Sequence, residues 1–169
     1  HAALRSCLAE ANARAVRTGR GRVVHYSIMP NHLHLLWEAS DREALSRGVQ
    51  GLATRIARAV NRVAERTGPV FRDRYHRRIL KTPGEAPHPL AYVLCNARRH
   101  GLVRGRTSAT WVDPYSSAAV FDGWRTEVTG PAFDLPVSKA RTWLLAVGWR
   151  RYGLLDPAIA PARGVRSRP

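Results

Sequence analysis

Leu45, Val49, Leu52, Ile56, Val60 and Val63 recur every three or four positions, the spacing that lines one face of an α-helix. Ser40 and Glu43 form a capping-box pattern ahead of them and Gly68-Pro69 follows, so a long amphipathic helix is predicted between these signals. Leu4, Leu8, Ala11 and Val16 show the same spacing among arginines and predict a helix over residues 2–18, stopped near Gly19 and Gly21. Between the two helices lie apolar runs at residues 23–29 and 32–37, separated by the turn-forming pair Pro30-Asn31. They predict an antiparallel hairpin on which the first helix packs.

The pattern is weaker further on. Residues 70–80 alternate imperfectly and carry Arg72, Arg74, Arg77 and Arg78, which predicts a basic strand. Pro83, Gly84, Pro87 and Pro89 mark a linker, and a third helix is expected over residues 89–100, with Gly101 as its C-cap. Residues 111–124 read as loop and short turns, and residues 139–152 return to a helical pattern through Trp143, Leu144, Val147 and Arg151. Residues 157–169 have the proline and arginine content of a disordered tail. No internal repeat is visible.

Charge changes this picture more than composition does. The 169 residues hold 28 Lys+Arg against 12 Asp+Glu, a formal net charge of +16, and Lys81 and Lys139 are the only lysines. A surface this rich in guanidinium groups attracts a polyanion, because the planar fork matches phosphate oxygens and stacks on bases. Nucleic acid is the leading partner; an arginine-rich coding bias is the dull alternative. No apolar run approaches the ~20 residues that span a bilayer, and no secretory leader pattern is present, so no membrane partner is expected. Cys7 and Cys95 are isolated, which argues against a disulfide framework or a structural zinc site and points to a reducing cytoplasm.

Side chains on a strand alternate between faces, so His32, His34 and Leu36 share one side while Leu33, Leu35 and Trp37 share the other. Two imidazoles on one face chelate a divalent ion if a further ligand arrives, but the spacing alone is a weak pattern, equally compatible with half-buried polar residues. Tyr92 and Asn96 stand four apart in the third predicted helix, hence on one face of it. If that face covers the histidine strand, Asn96 supplies an amide oxygen to the ion and Tyr92 a phenol oxygen to a phosphodiester. The alternative is an ordinary core tyrosine with its hydroxyl at the boundary.

Three blocks of residues together resemble the REP-associated tyrosine transposases, a branch of the single-tyrosine HUH transposases. They are Met29-Pro30-Asn31-His32-Leu33-His34-Leu35-Leu36, then Phe71-Arg72-Asp73-Arg74-Tyr75-His76-Arg77, then Tyr92-Val93-Leu94-Cys95-Asn96-Ala97-Arg98-Arg99-His100-Gly101-Leu102-Val103. Residues 111–117 look like the tryptophan and paired-serine stretch of these proteins, and order and spacing agree over roughly residues 2–120. The resemblance implies an α+β fold, a ferredoxin-like antiparallel sheet with helices on its faces. It implies an HUH catalytic domain over residues 1–123; the chain beyond lies outside the match, and its own pattern divides it into a C-terminal helical extension over 124–156 and the tail over 157–169. It also implies that His32, His34 and Asn96 bind Mg²⁺ or Mn²⁺ and that Tyr92 cleaves DNA, leaving a 5′-phosphotyrosine link and a free 3′-hydroxyl.

Single-stranded or hairpin-forming repeat DNA is the implied substrate, Arg72, Arg74, Arg77, Arg78, Arg98 and Arg99 are the candidate DNA contacts, and a homodimer is a further expectation. The implied location is the bacterial cytoplasm, at the nucleoid. Two positions depart from the family pattern: Ala97 stands where the family has proline, and the family's first strand falls before His1. Two other functions use the same residues. One is a domesticated, non-catalytic DNA- or RNA-binding protein on the same fold; the other is a metal phosphoesterase working through activated water.

Overall fold

A computed structural model describes residues 1–101, 108–130 and 134–161. Its architecture is α+β: helix α1 (Ala2–Arg17), strands β1 (Gly21–Ile28) and β2 (Leu33–Ala39), helices α2 (Arg42–Val63), α3 (Pro87–Leu94), α4 (Asn96–Arg99) and α5 (Trp143–Ala146), with short 3₁₀ turns. Of the tail expected over residues 157–169, residues 162–169 lie outside the described residues, as do Leu102 and Val103.

The two long helices end where local chemistry stops them. After α1, Gly19 adopts a left-handed φ of 66°, and its amide and that of Arg20 donate to Val16 O and Ala15 O, which satisfies carbonyls the helix leaves open. The cap of α2 is Asp41 rather than Ser40. Asp41 Oδ1 accepts from Ala44 N at 2.7 Å, while Ser40 Oγ donates to Asp41 Oδ2. A carboxylate is the stronger acceptor for a helix amide, and the amide of Ala44 holds the Asp41 carboxyl below its ordinary range. At the far end, Glu65 takes a left-handed φ of 48°, so α2 stops before Gly68-Pro69.

The strands pair antiparallel from Ile28↔Leu33 to Gly21↔Ala39, with a bulge at Val24. Both faces of this ribbon are covered, as the alternation along the strands requires. On one face Tyr26, Ile28, Leu33, Leu35 and Trp37 meet Leu8 of α1 and Leu52 and Ile56 of α2. On the other, Val24 and Leu36 meet Leu90, Val93 and Leu94 of α3. Full burial of each such aliphatic side chain contributes roughly 1.5–3 kcal/mol, so the two layers hold the hairpin from both sides.

Only two strands are found among the described residues. Residues 70–80, expected as a basic strand, carry no regular structure. The outer edge of β1 is closed by a side chain of α1 and by loop segments instead. Val23 N donates to Asn12 Oδ1, and Val23 O accepts from Ser138 N. Further along, Tyr26 O accepts from Ser117 N, and Ile28 N donates to Tyr115 O. These partners satisfy the outward groups that an unpaired edge would leave to water or to another chain.

The expected helix over residues 139–152 shortens to α5 and a 3₁₀ turn at Gly148–Tyr152. The described residues after Gly123 pack onto the two core clusters of the preceding chain rather than around a core of their own. Trp149, 1 % exposed, stacks on Phe121 at 5.4 Å within the cluster that holds Leu90 and Leu36. Glu38 of β2 tethers the segment: its carboxylate accepts from Arg141 N, Thr142 N and Thr142 Oγ1, and it pairs with Arg22 at 3.6 Å. No helix among the described residues is long and apolar enough to cross a membrane.

Candidate active site

The hairpin turn delivers the first imidazole. Met29 N donates to His32 O at 2.9 Å, closing the loop over Pro30 and Asn31. His32 stands at the entry to β2, and its Nδ1 lies 2.6 Å from Asn31 Oδ1. An amide oxygen only accepts, so Nδ1 carries the proton and Nε2 keeps its lone pair. Asn31 thereby selects the tautomer that ligates through Nε2.

His34 follows on the same side of the strand, its ring centroid 4.6 Å from that of His32 and the planes at 80°. This is the face that Leu36 shares with α3. Burial first, then the neighbouring His32 and His100 rings and the Arg99 guanidinium, push the His34 pKa down to about 4. Burial, with His100 second, also lowers the His32 pKa. Both rings are thus favoured in the neutral form that binds cations. His34 Nε2 is buried with no hydrogen-bond partner.

Tyr92 reaches this pair from α3. Pro87 and Pro89 fit the first turn, where an absent amide costs no intrahelical bond. The Tyr92 ring meets that of His34 edge-on, with centroids 4.9 Å apart and planes at 80°. The Arg99 guanidinium lies 4.8 Å from the Tyr92 ring centroid, in cation–π contact.

The helix expected over residues 89–100 is in fact two. α3 ends at Leu94, Cys95 turns the chain with φ −106° and ψ 17°, and the amides of Arg98 and Arg99 both donate to Cys95 O. Tyr92 and Asn96 therefore sit on successive short helices rather than on one continuous face. They also differ in surroundings: Tyr92 is half-buried, whereas Asn96 is 0 % exposed and neither Oδ1 nor Nδ2 has a hydrogen-bond partner. An unpaired buried amide costs roughly 1–3 kcal/mol, so Asn96 is a polar group held in place without its ordinary reward.

Among the described residues no group of three His, Cys, Asp or Glu side chains is placed to hold a metal ion. The expected ligand set contains only two such residues, with an amide as the third. His34 Nε2 and Asn96 Oδ1 are buried polar atoms without hydrogen-bond partners, and the His32 tautomer leaves a second nitrogen open. These donors fit a divalent cation.

The arginines separate into three situations. Arg72, Arg74, Arg77 and Arg78 are exposed in the irregular segment after α2, interleaved with exposed Phe71 and Tyr75. Arg98 is engaged in the fold: its Nη2 donates to Ser108 O and Trp111 O, and its guanidinium lies 5.5 Å from the Trp111 ring. Arg99 lies on Tyr92. The paired serines are structural too, both fully buried, with Ser117 Oγ accepting from Tyr26 N and lying 3.1 Å from His25 Nδ1.

Three residues beside the site were given no role there by the sequence reading: Asn31, His88 and His100. The His100 ring lies 5.7 Å from that of His32, and the His88 ring faces Tyr92 at 6.2 Å and 25°. A signal existed, because His88, Tyr92, Asn96 and His100 recur every fourth position. No family model, curated protein or solved structure matches the chain.

Proposed function

We propose that this protein is a metal-dependent single-strand DNA nicking and rejoining enzyme, a transposase of the REP-associated tyrosine type, acting on hairpin-forming repeats. On this reading the β1–β2 hairpin belongs to a ferredoxin-like HUH core. The observation that carries it is the 4.9 Å contact between Tyr92 and His34. A phenol is brought from an element distant in sequence, beside a guanidinium, to His34, whose ring in turn meets that of His32.

In the proposed reaction the Tyr92 phenol oxygen attacks the scissile phosphorus in line with the departing 3′-oxygen. The O–P bond to Tyr92 forms as the P–O3′ bond breaks, and the phenol proton ends on the 3′-oxygen. The products are a 5′-phosphotyrosine and a free 3′-hydroxyl, and the reverse attack by a 3′-hydroxyl rejoins a strand. The phosphotyrosine stores the linkage energy, so no nucleotide cofactor is consumed. Mg²⁺ or Mn²⁺ held by His32, His34 and Asn96 would polarise and orient the phosphate. Arg99 offsets the charge that develops on the phosphate oxygens. Arg72, Arg74, Arg77 and Arg78 guide the strand, with Phe71 and Tyr75 as stacking surfaces for its bases.

The test is adduct formation. Purified protein, Mn²⁺ and a hairpin-containing single strand are expected to give a denaturant-resistant protein–DNA adduct, and Tyr92→Phe to abolish it while DNA binding survives. An adduct that persists in Tyr92→Phe overturns the assignment. Binding without cleavage over a panel of hairpins selects the domesticated binding protein. Cleavage that leaves free 5′ ends and tolerates Tyr92→Phe selects hydrolysis by water.

A further inference from the structure

On the opposite face of the ribbon from Tyr92, a cavity of about 380 Å³ opens between α1, α2 and Trp37. Its size falls within the ~300–1,000 Å³ of small-molecule sites. It exists because the facing helix positions are small: Ala15 on α1, Gly48 and Gly51 on α2. Gly48 is needed for another reason, since a Cβ there would stand 2.8 Å from Trp37 Cζ2. Trp37 is thus seated against the helix backbone and contributes to the cavity wall.

The remaining lining is cationic. Arg47 and Arg55 reach the cavity while paired with Glu43 and Glu10, at 2.5 and 3.3 Å. Arg14 and Arg20 line it with no ion-pair partner among the described residues. No acidic residue lines the cavity itself. Four guanidinium groups around a recess walled by an indole match one ligand chemistry: a phosphate joined to a flat aromatic base.

We propose that this cavity is a nucleoside-phosphate site, in which Arg14 and Arg20 hold the phosphate and Trp37 stacks on the base. It is independent of the Tyr92 chemistry. Two sources carry this ligand, a free nucleotide and the 5′-phosphorylated end of a DNA strand.

Calorimetric titration of the full chain at physiological salt tests it, with deoxyadenosine monophosphate, deoxyadenosine and inorganic phosphate as probes. The nucleotide is expected to bind at least tenfold more tightly than either fragment. Arg14→Ala/Arg20→Ala should weaken it at least tenfold. Arg58→Ala/Arg125→Ala, which removes the same charge from exposed positions outside the cavity, should change it less than twofold. Gly51→Glu should also abolish binding, because only the end of the Arg55 side chain opposes a Cβ there, at 3.1 Å, and the new carboxylate enters the recess.

Competition by a 5′-phosphorylated oligonucleotide, but not by its unphosphorylated form, assigns the site to a strand end. Competition by neither assigns it to a free nucleotide. Nucleotide binding no tighter than phosphate, or equal losses in the two double variants, overturns the proposal. Titrations repeated on Tyr92→Phe should match wild type, which keeps this result separate from the nicking assay.

Discussion

The imidazole of His34 stands edge-on to the phenol ring of Tyr92, 4.9 Å between centroids, and joins the hairpin to α3. The face of the hairpin that buries Leu36 against Leu90 also carries His34, and the burial that depresses the His34 pKa comes with the phenol beside it. Core and candidate site are one construction here.

Asn96 offers the sharpest separation of stability from function. Replacing a buried, unpaired amide by an apolar side chain of similar shape removes a penalty of about 1–3 kcal/mol. Asn96→Leu is therefore expected to raise Tm by several degrees and to weaken Mn²⁺ binding at least tenfold, with His34→Ala showing the same loss of Mn²⁺ and no gain in Tm. Calorimetric titration and thermal melts check both. Unchanged Mn²⁺ affinity in Asn96→Leu removes Asn96 from the ligand set.

Glu38 is the tether between β2 and the C-terminal segment. Glu38→Ala leaves Arg22 without its carboxylate and three donors at Arg141 and Thr142 without their acceptor. Breaking a mostly buried pair costs about 3–5 kcal/mol. The variant should melt at least 6 °C or so below wild type, given roughly 2–4 °C per kcal/mol at this chain length. An unchanged Tm would show that the segment is held by its other contacts, Trp149 in the core and Ser138 on Val23, without need of Glu38.

His25 sets an acid limit on stability. Burial pushes its pKa down to about 4, with Asp122 opposing weakly, against an ordinary value of 6.5. Between these values the unfolded chain binds the proton and the folded chain does not. Stability is thus full above pH 6.5 and falls as pH drops toward 4, by up to about 3 kcal/mol from this group. His34 adds to the slope with the same sign. In His25→Asn the decline of Tm between pH 7 and pH 5 should be visibly shallower; a slope equal to wild type rules His25 out as its source.

The strong periodic signals were legible because they are local. The spacing of Leu52 and Ile56, the alternation through Leu35, Leu36 and Trp37, and the turn residues at Pro30-Asn31 each act within a few positions, and the corresponding elements form. The break at Cys95 was not legible, because one continuous helix satisfies the same pattern as two short ones. The alternating arginines of residues 70–80 failed for a related reason: a strand needs a partner, and among the described residues that segment has none.

By itself the sequence determined the hairpin, the two long helices, the cationic surface and the identity of the candidate chemistry at His32, His34, Tyr92 and Asn96. Tertiary structure alone decided that His34 meets Tyr92, that His88 and His100 join them, that Arg98 serves the fold, and that Trp149 completes the core. Periodicity states which face of an element is apolar. Which faces meet depends on the simultaneous burial of all of them, and only the packed chain resolves that.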